Sequence, residues 1–172
     1  KEGKLLDPAG ATRYRALVAR ANFLSQDRSD IAFAVKELSR RMSAPEDTDM
    51  VMLKRLARYL VYRPRIVVNY EYQDEVKDIT VYTDTDWAGC KRTRRSTSGG
   101  MVFHGTHWIK GYSTTQKVIA LSSGEAELYG MVKGASHALG IRSLVHDLGF
   151  DKRIHLHTDA TAAMGITNRS GL

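Results

Sequence analysis

The hydrophobic period of this chain changes at Pro64, and that change constrains its fold more than any other feature. Upstream, apolar residues recur at the i, i+3, i+4 spacing of helices. Downstream, β-branched and aromatic residues gather in short runs bounded by charge or glycine. Asp7 and Pro8 open the first helix as cap and first-turn proline, and Tyr14, Leu17, Val18, Ala21 and Leu24 follow at helical spacing. A second helix begins near Asp27 to Asp30, carries Ile31, Phe33, Ala34, Val35, Leu38 and Met42, and is broken by Ser43, Ala44 and Pro45. The third covers residues 46–62, with Met50, Leu53, Leu56, Leu60 and Val61 on one side and Lys54, Arg55 and Arg58 on the other. Proline lacks the amide a helix interior needs, so Pro64 ends it.

Residues 66–70 and 79–83 are predicted strands, separated by a charged run at 73–78. Gly99, Gly100 and Gly105 punctuate two more, at 101–104 and 107–112. A long helix is expected over residues 122–148, closed by Gly149, then a strand at 154–158 and a short helix at 161–168. The boundary is expected near residue 73, giving a small all-helical segment at 1–73 and a second domain at 74–172. That domain reads as three strands, helix, strand, helix. The pattern predicts an α/β fold whose mixed sheet has three antiparallel strands and a fourth, parallel to the first and beside it, reached by a right-handed crossover.

With 172 residues, 42% of them hydrophobic and 26% charged, the chain can bury one core or two small ones. The net charge of +7 favours an anionic partner, nucleic acid first. Fourteen basic and nine acidic residues fall in 1–73, twelve and ten in 74–172, so both parts are basic. The single cysteine, Cys90, excludes an internal disulfide framework and fits a reducing compartment. No apolar run approaches the ~20 residues of a membrane span, and no signal-peptide pattern opens the chain. P-loop, dinucleotide fingerprint and HExxH motifs are absent.

Asp84 and Asp159 end the two strands expected to be parallel. Both therefore emerge at one sheet end, where open α/β sheets bind ligands. The third carboxylate of interest is on the long helix. Glu125 follows Ser122 at the spacing of a capping box, which gives it a structural role; Glu127 has none. It shares a stripe with Gly130, Met131, Gly134 and Ala138, whose small side chains would bring it half-buried against the sheet. A buried carboxylate is costly unless something offsets its charge, and hard oxygen ligands suit Mg²⁺ or Mn²⁺. The plain alternative is that an aspartate before a loop is a turn or cap residue, and Asp86 is closest to that, starting the turn toward Gly89. His155 and His157 alternate with Asp159 on one strand face, either as ordinary strand histidines or as further ligands. Lys91, Arg92, Arg94 and Arg95 form either a phosphate-contacting loop or a solvated one.

Four ordered motifs, Tyr82-Thr83-Asp84-Thr85-Asp86-Trp87-Ala88-Gly89, Arg95-Ser96-Thr97-Ser98-Gly99, Ala120-Leu121-Ser122-Ser123-Gly124-Glu125-Ala126-Glu127-Leu128-Tyr129 and His157-Thr158-Asp159, carry a family likeness. Their order and spacing resemble the ribonuclease H of copia-type retrotransposons. Leu6-Asp7-Pro8, Asp30-Ile31-Ala32-Phe33-Ala34-Val35 and Leu53-Lys54-Arg55-Leu56-Ala57-Arg58-Tyr59-Leu60 resemble the segment between polymerase and nuclease in the same Pol polyproteins. The resemblance implies a thumb- or connection-like helical segment of a reverse transcriptase, then a ribonuclease H-like domain that stops before its C-terminal strand and helix. It implies a metal-dependent endonuclease that hydrolyses the RNA strand of RNA–DNA hybrids during reverse transcription, with two Mg²⁺ ions (or Mn²⁺) about 4 Å apart. By motif, Asp84 would bridge the metals, Glu127 would ligate one and Asp159 the other. Ser122 falls where this fold meets the DNA phosphate, and contacts to 2′-hydroxyls would select RNA. Lys54, Arg55 and Arg58, with Lys91, Arg92, Arg94 and Arg95, would hold the hybrid electrostatically without reading sequence.

The implied partners are the hybrid and the rest of the reverse transcriptase polyprotein, in the cytoplasm, a retroelement particle or the nucleus. The family's fourth acidic residue is not reached before Leu172, so the alternative is a catalytically impaired nucleic-acid-binding remnant or a connector that docks on the polymerase. A reading of Asp84-Thr85-Asp86 as the DxD of a nucleotide-sugar transferase lacks a nucleotide-binding unit ahead of it.

Overall fold

The computed structural model of the chain describes residues 3–159 and 164–165 and divides into two compact units, Lys1–Asn69 and Tyr70–Leu172. In the first unit, helix α1 (Pro8–Leu24) starts where the Asp7 carboxylate accepts the Gly10 amide at 2.9 Å, one of the amides a helix start leaves unpaired. A 3-10 turn at Ser29–Ile31 leads into α2 (Ala32–Ser39), and α3 (Asp47–Tyr62) completes the unit. Tyr14, Val18 and Ala21 of α1 pack with Ile31, Val35 and Leu38 and with Leu53 and Leu56 of α3. The Tyr14 hydroxyl donates to the Leu38 carbonyl at 2.8 Å, and burial pushes its pKa up to about 12.

Helix α2 is shorter than the spacing predicts, at both ends. Ahead of it, Arg28 pairs with Asp30 at 2.8 Å and donates to the carbonyls of Arg63 and Pro64. Those residues therefore serve to cap the end of α3, where a cation is favoured. Behind it, the amides of Arg41 and Met42 turn back to the carbonyls of Leu38 and Ser39, a tightening that ends the helix before Pro45.

The second unit holds β1 (Asp78–Asp86), β2 (Thr97–His104), β3 (His107–Thr115), helix α4 (Ser123–Asp147) and β4 (Arg153–His157). The sheet order is β3-β2-β1-β4. The first three strands are antiparallel neighbours, and β4 runs parallel to β1 with Ile79 opposite Ile154 and Tyr82 opposite His157, as the strand–helix–strand pattern predicts. Ile79, Val81 and Val102 from the sheet and Ala138 from α4 form the core.

Two sequence expectations fail here. No strand forms at 66–70; residues 63–77 adopt no regular element, and Val67 stays 74% exposed. β-branched composition favours a strand only where a neighbouring strand pairs with it. The second unit begins at Tyr70, three residues from the boundary expected near residue 73. The Tyr70 hydroxyl donates to the Trp108 carbonyl, and Gln73 bonds the His104 carbonyl and the Thr106 amide, which ties residues 70–73 to the β2–β3 hairpin.

The second failure is Gly99-Gly100, which lies inside β2 rather than ahead of it. Gly100 is opposite Tyr112, and a Cβ there would come within 2.4 Å of the tyrosine hydroxyl. The turn itself is at Gly105, with φ of +61°. The helix expected at 161–168 lies, apart from Met164 and Gly165, outside the described residues. Among the described residues no helix is long and apolar enough to cross a membrane.

Candidate metal centre and nucleic-acid interface

The start of α4 organises the site. The Ser122 hydroxyl accepts the Glu125 amide at 3.1 Å, as a capping serine does. The Glu125 carboxylate reaches back to the Leu121 amide at 2.7 Å, one residue earlier than a standard capping box would bond. The face of α4 against the sheet is made of Ala126, Gly130, Gly134 and Ala138. A Cβ on Gly130 would come within 2.4 Å of Thr85 Oγ1, and one on Gly134 within 2.4 Å of Thr83 Cγ2. The helix thus lies closer to β1 than alanine permits. Glu127, next to Ala126 at that seam, is carried to the C-terminal end of β1.

There it meets the two aspartates. One carboxylate oxygen from each of Asp84, Glu127 and Asp159 lies within 4.8 Å of the others. Asp84 and Asp159 are exposed and Glu127 is half-buried, with its Oε2 fully enclosed and lacking a hydrogen-bond partner among the described residues. Burial first, then the charges of Asp84 and Asp159, push the Glu127 pKa above its ordinary value. Thr85 beside it pulls the other way without supplying Oε2 with a hydrogen bond. Like charges at about 4 Å repel by roughly 1 kcal/mol in bulk water and by several times that where solvent is excluded. A cation seated among the three would reverse that repulsion and satisfy Oε2. An all-carboxylate set, open to water on two of its members, suits a hard divalent ion that keeps part of its hydration.

The other residues singled out in the sequence take various places. Asp86 stands outside this group; its carboxylate covers Gly89, where a Cβ would come within 1.7 Å of Oδ2, so it is a turn residue. His155 Nε2 lies 3.3 Å from Asp78 and the His157 ring stacks on Tyr82 at 5.0 Å; neither belongs to the carboxylate group. The Ser122 oxygen is engaged as the cap, which leaves its O–H as a donor. Lys91, Arg92, Arg94 and Arg95 are exposed on the loop that follows β1, at the same sheet end as Asp84. That loop is closed by the Arg94 amide on the Cys90 carbonyl and the Cys90 amide on the Arg95 carbonyl. Lys54, Arg55 and Arg58 are exposed on α3 of the first unit, where Lys54 and Arg58 line a groove with Val61 and Tyr62. Sequence reasoning gave no separate role to Trp87 or Leu121, which stay 48% and 87% exposed. The available signal was a large apolar residue directly beside each of two carboxylate motifs.

Comparison of the sequence with known proteins finds relatives. The chain is 36% identical over 146 residues, 85% of its length, to the retrovirus-related Pol polyprotein from transposon RE1 of Arabidopsis thaliana. The polyprotein from transposon RE2 of the same plant matches to the same extent. Secreted RxLR effector protein 161 of Plasmopara viticola is 32% identical over 134 residues, and the chain covers 88% of it. The chain is thus a homologue of retrovirus-related Pol polyproteins from copia-like transposons. It spans only 10% of the length of either Arabidopsis polyprotein. No protein-family profile matches the chain, and no solved structure matches it.

Proposed function

We propose that this chain is the ribonuclease H region of a copia-like Pol polyprotein, a metal-dependent endonuclease that hydrolyses the RNA strand of RNA–DNA hybrids. The observation that carries the reading is the meeting of Asp84, Glu127 and Asp159 within 4.8 Å, from three separated motifs that each resemble that family. The enclosed Glu127 Oε2, without a hydrogen-bond partner among the described residues, fits a divalent cation. Asp84, Glu127 and Asp159 would hold Mg²⁺, or Mn²⁺. When bound, such ions lower the pKa of an attacking water and stabilise the leaving oxygen.

The protein's own part is to fix the carboxylates before substrate arrives. The glycine seam holds α4 against β1, and the Ser122 cap sets where Glu127 falls. Exposed Lys91, Arg92, Arg94 and Arg95 beside Asp84 supply charge to bind the phosphate backbone, as do Lys54, Arg55 and Arg58 on α3. Charge of this kind positions nucleic acid without reading its sequence.

A second reading is a nucleic-acid-binding module without turnover, with which the Plasmopara viticola relative is compatible. The chain covers most of that protein, whose name is that of an effector and not of a polyprotein. Cleavage of an end-labelled RNA–DNA hybrid in Mg²⁺ separates the two. The nuclease reading expects cutting of the RNA strand alone, abolished by EDTA and reduced at least about 100-fold by Asp84→Asn, in line with loss of a charge-stabilising group. Intact hybrid with the wild-type chain, or equal cutting by the variant, would overturn it.

A further inference from the structure

The small-residue face that lets α4 approach the sheet also gives it little grip there. Interlocking side chains are what fix a helix against its neighbours, and the buried face of Ala126, Gly130, Gly134 and Ala138 has none long enough to lodge between strands. The Ser122 cap and the Glu125 bond to the Leu121 amide do not supply the grip. Each joins residues three or four apart, so each travels with the helix.

Gln116 holds the helix from outside. It directly follows β3, its amide donates to the Ser96 carbonyl at 2.8 Å, and it is 8% exposed. From that anchored place its Nε2 donates to two acceptors, Ser98 Oγ on β2 at 2.9 Å and the Ala126 carbonyl on α4 at 2.8 Å. A backbone carbonyl has two lone pairs, so that of Ala126 can take this bond besides its place in the helix. Ser98 and Ala126 are buried, and water cannot readily replace a bond lost there. Gln116 Oε1 is itself buried without a hydrogen-bond partner among the described residues; the side chain gives up solvation at one atom for the two bonds made by the other. The Ala126 carbonyl belongs to the planar peptide that joins Ala126 to Glu127. Holding its oxygen therefore fixes the plane from which the Glu127 Cα departs.

We infer that Gln116 is a positioning residue, a tether from β2 to α4 that sets where the Glu127 carboxylate stands relative to Asp84 and Asp159. This rests on the reading of those three carboxylates as a metal centre. Gln116 acts through the backbone and not on the ion, so its removal should loosen the metal site of a protein that still folds.

Mn²⁺ binding is measured by loss of the free ion's electron paramagnetic resonance signal, with the melting temperature in EDTA taken alongside. Gln116→Met keeps the side chain's length and removes both bonds. Gln116→Asn keeps a polar amide but is one methylene too short to reach both partners, and it tests the tether if Gln116→Met unfolds. Ser98→Ala removes a buried hydroxyl and leaves Gln116 able to hold Ala126. The tether predicts Mn²⁺ binding about tenfold weaker in both Gln116 variants, the scale of loss when a group that orients a metal ligand is removed. Ser98→Ala should melt lower and bind Mn²⁺ nearly as wild type does. A Gln116 that only stabilises the fold would lower the melting temperature and leave the affinity of the folded protein unchanged. That result overturns the tether alone, as does an equal loss of affinity in Ser98→Ala or failure of both Gln116 variants to fold. A wild-type chain that takes up no more Mn²⁺ than Asp84→Asn overturns the metal centre, and the tether with it.

Discussion

Glu127 is the residue at which the demands of folding and of the site conflict. Its pKa is raised above the ordinary 4.5 by burial and by its two carboxylate neighbours, so the folded state holds that proton more tightly than the unfolded state. Between 4.5 and the raised value, stability therefore falls as pH rises, and the penalty remains in full above it. Glu127→Gln removes a charge that Thr85 offsets only in part. In EDTA at pH 7.5 the variant should melt several degrees above wild type, and the difference should vanish as pH falls below 4.5. Adding Mg²⁺ should raise the melting temperature of wild type and leave the variant unmoved. A variant less stable than wild type in EDTA would mean that Oε2 has a partner and that the carboxylate is structural. Glu127 was legible in the sequence because three small residues share its stripe. The exposure of Trp87 and Leu121 was not, since no spacing reports the bonds they donate to Ala120 and Glu125.

At the scale of elements, the seam between α4 and β1 sets how far the carboxylates stand apart. Gly134→Ala places a methyl within 2.4 Å of Thr83 and 3.2 Å of Leu156. The helix must shift outward, at a cost of about 1–3 kcal/mol. Gly140 lies in the same helix with nothing within 4 Å of the position its Cβ would take. Gly140→Ala should therefore stabilise the protein by about 0.5–1 kcal/mol, the usual gain from removing a helical glycine. Urea denaturation of the pair checks both signs, and stabilisation by both substitutions would mean that the seam is looser than described. The strand order was legible because the alternation of strands with one long helix admits few arrangements. The misread elements share a cause, since local composition stands in for a neighbour the sequence does not display. Gly100 is small because Tyr112 crosses it, and residues 66–70 are β-branched without a strand to pair with.

The whole molecule carries +7, with exposed basic groups in both units: Lys54, Arg55 and Arg58 in the first, Lys91, Arg92, Arg94 and Arg95 in the second. If both sets touch one hybrid, its affinity should fall steeply with salt, by about 0.9 log units per log unit of salt for each phosphate contact on duplex DNA. Replacing either set with alanine should flatten the slope, and only the second set should also slow cleavage. A slope unaffected by the α3 substitutions would confine binding to the second unit. The charge of each part was legible from composition; which cations remain free for a ligand depends on ion pairs such as that of Arg28 with Asp30, which withdraw some from the count.

The first three turns of α4 also limit how this sequence can drift. Inserting or deleting one residue turns a helix by about 100°. Between Ser122 and Gly134, any such change would either swing Glu127 away from Asp84 and Asp159 or bring a side chain where only glycine fits against Thr83 and Thr85. Related sequences that keep the site should therefore be free of gaps across these thirteen positions.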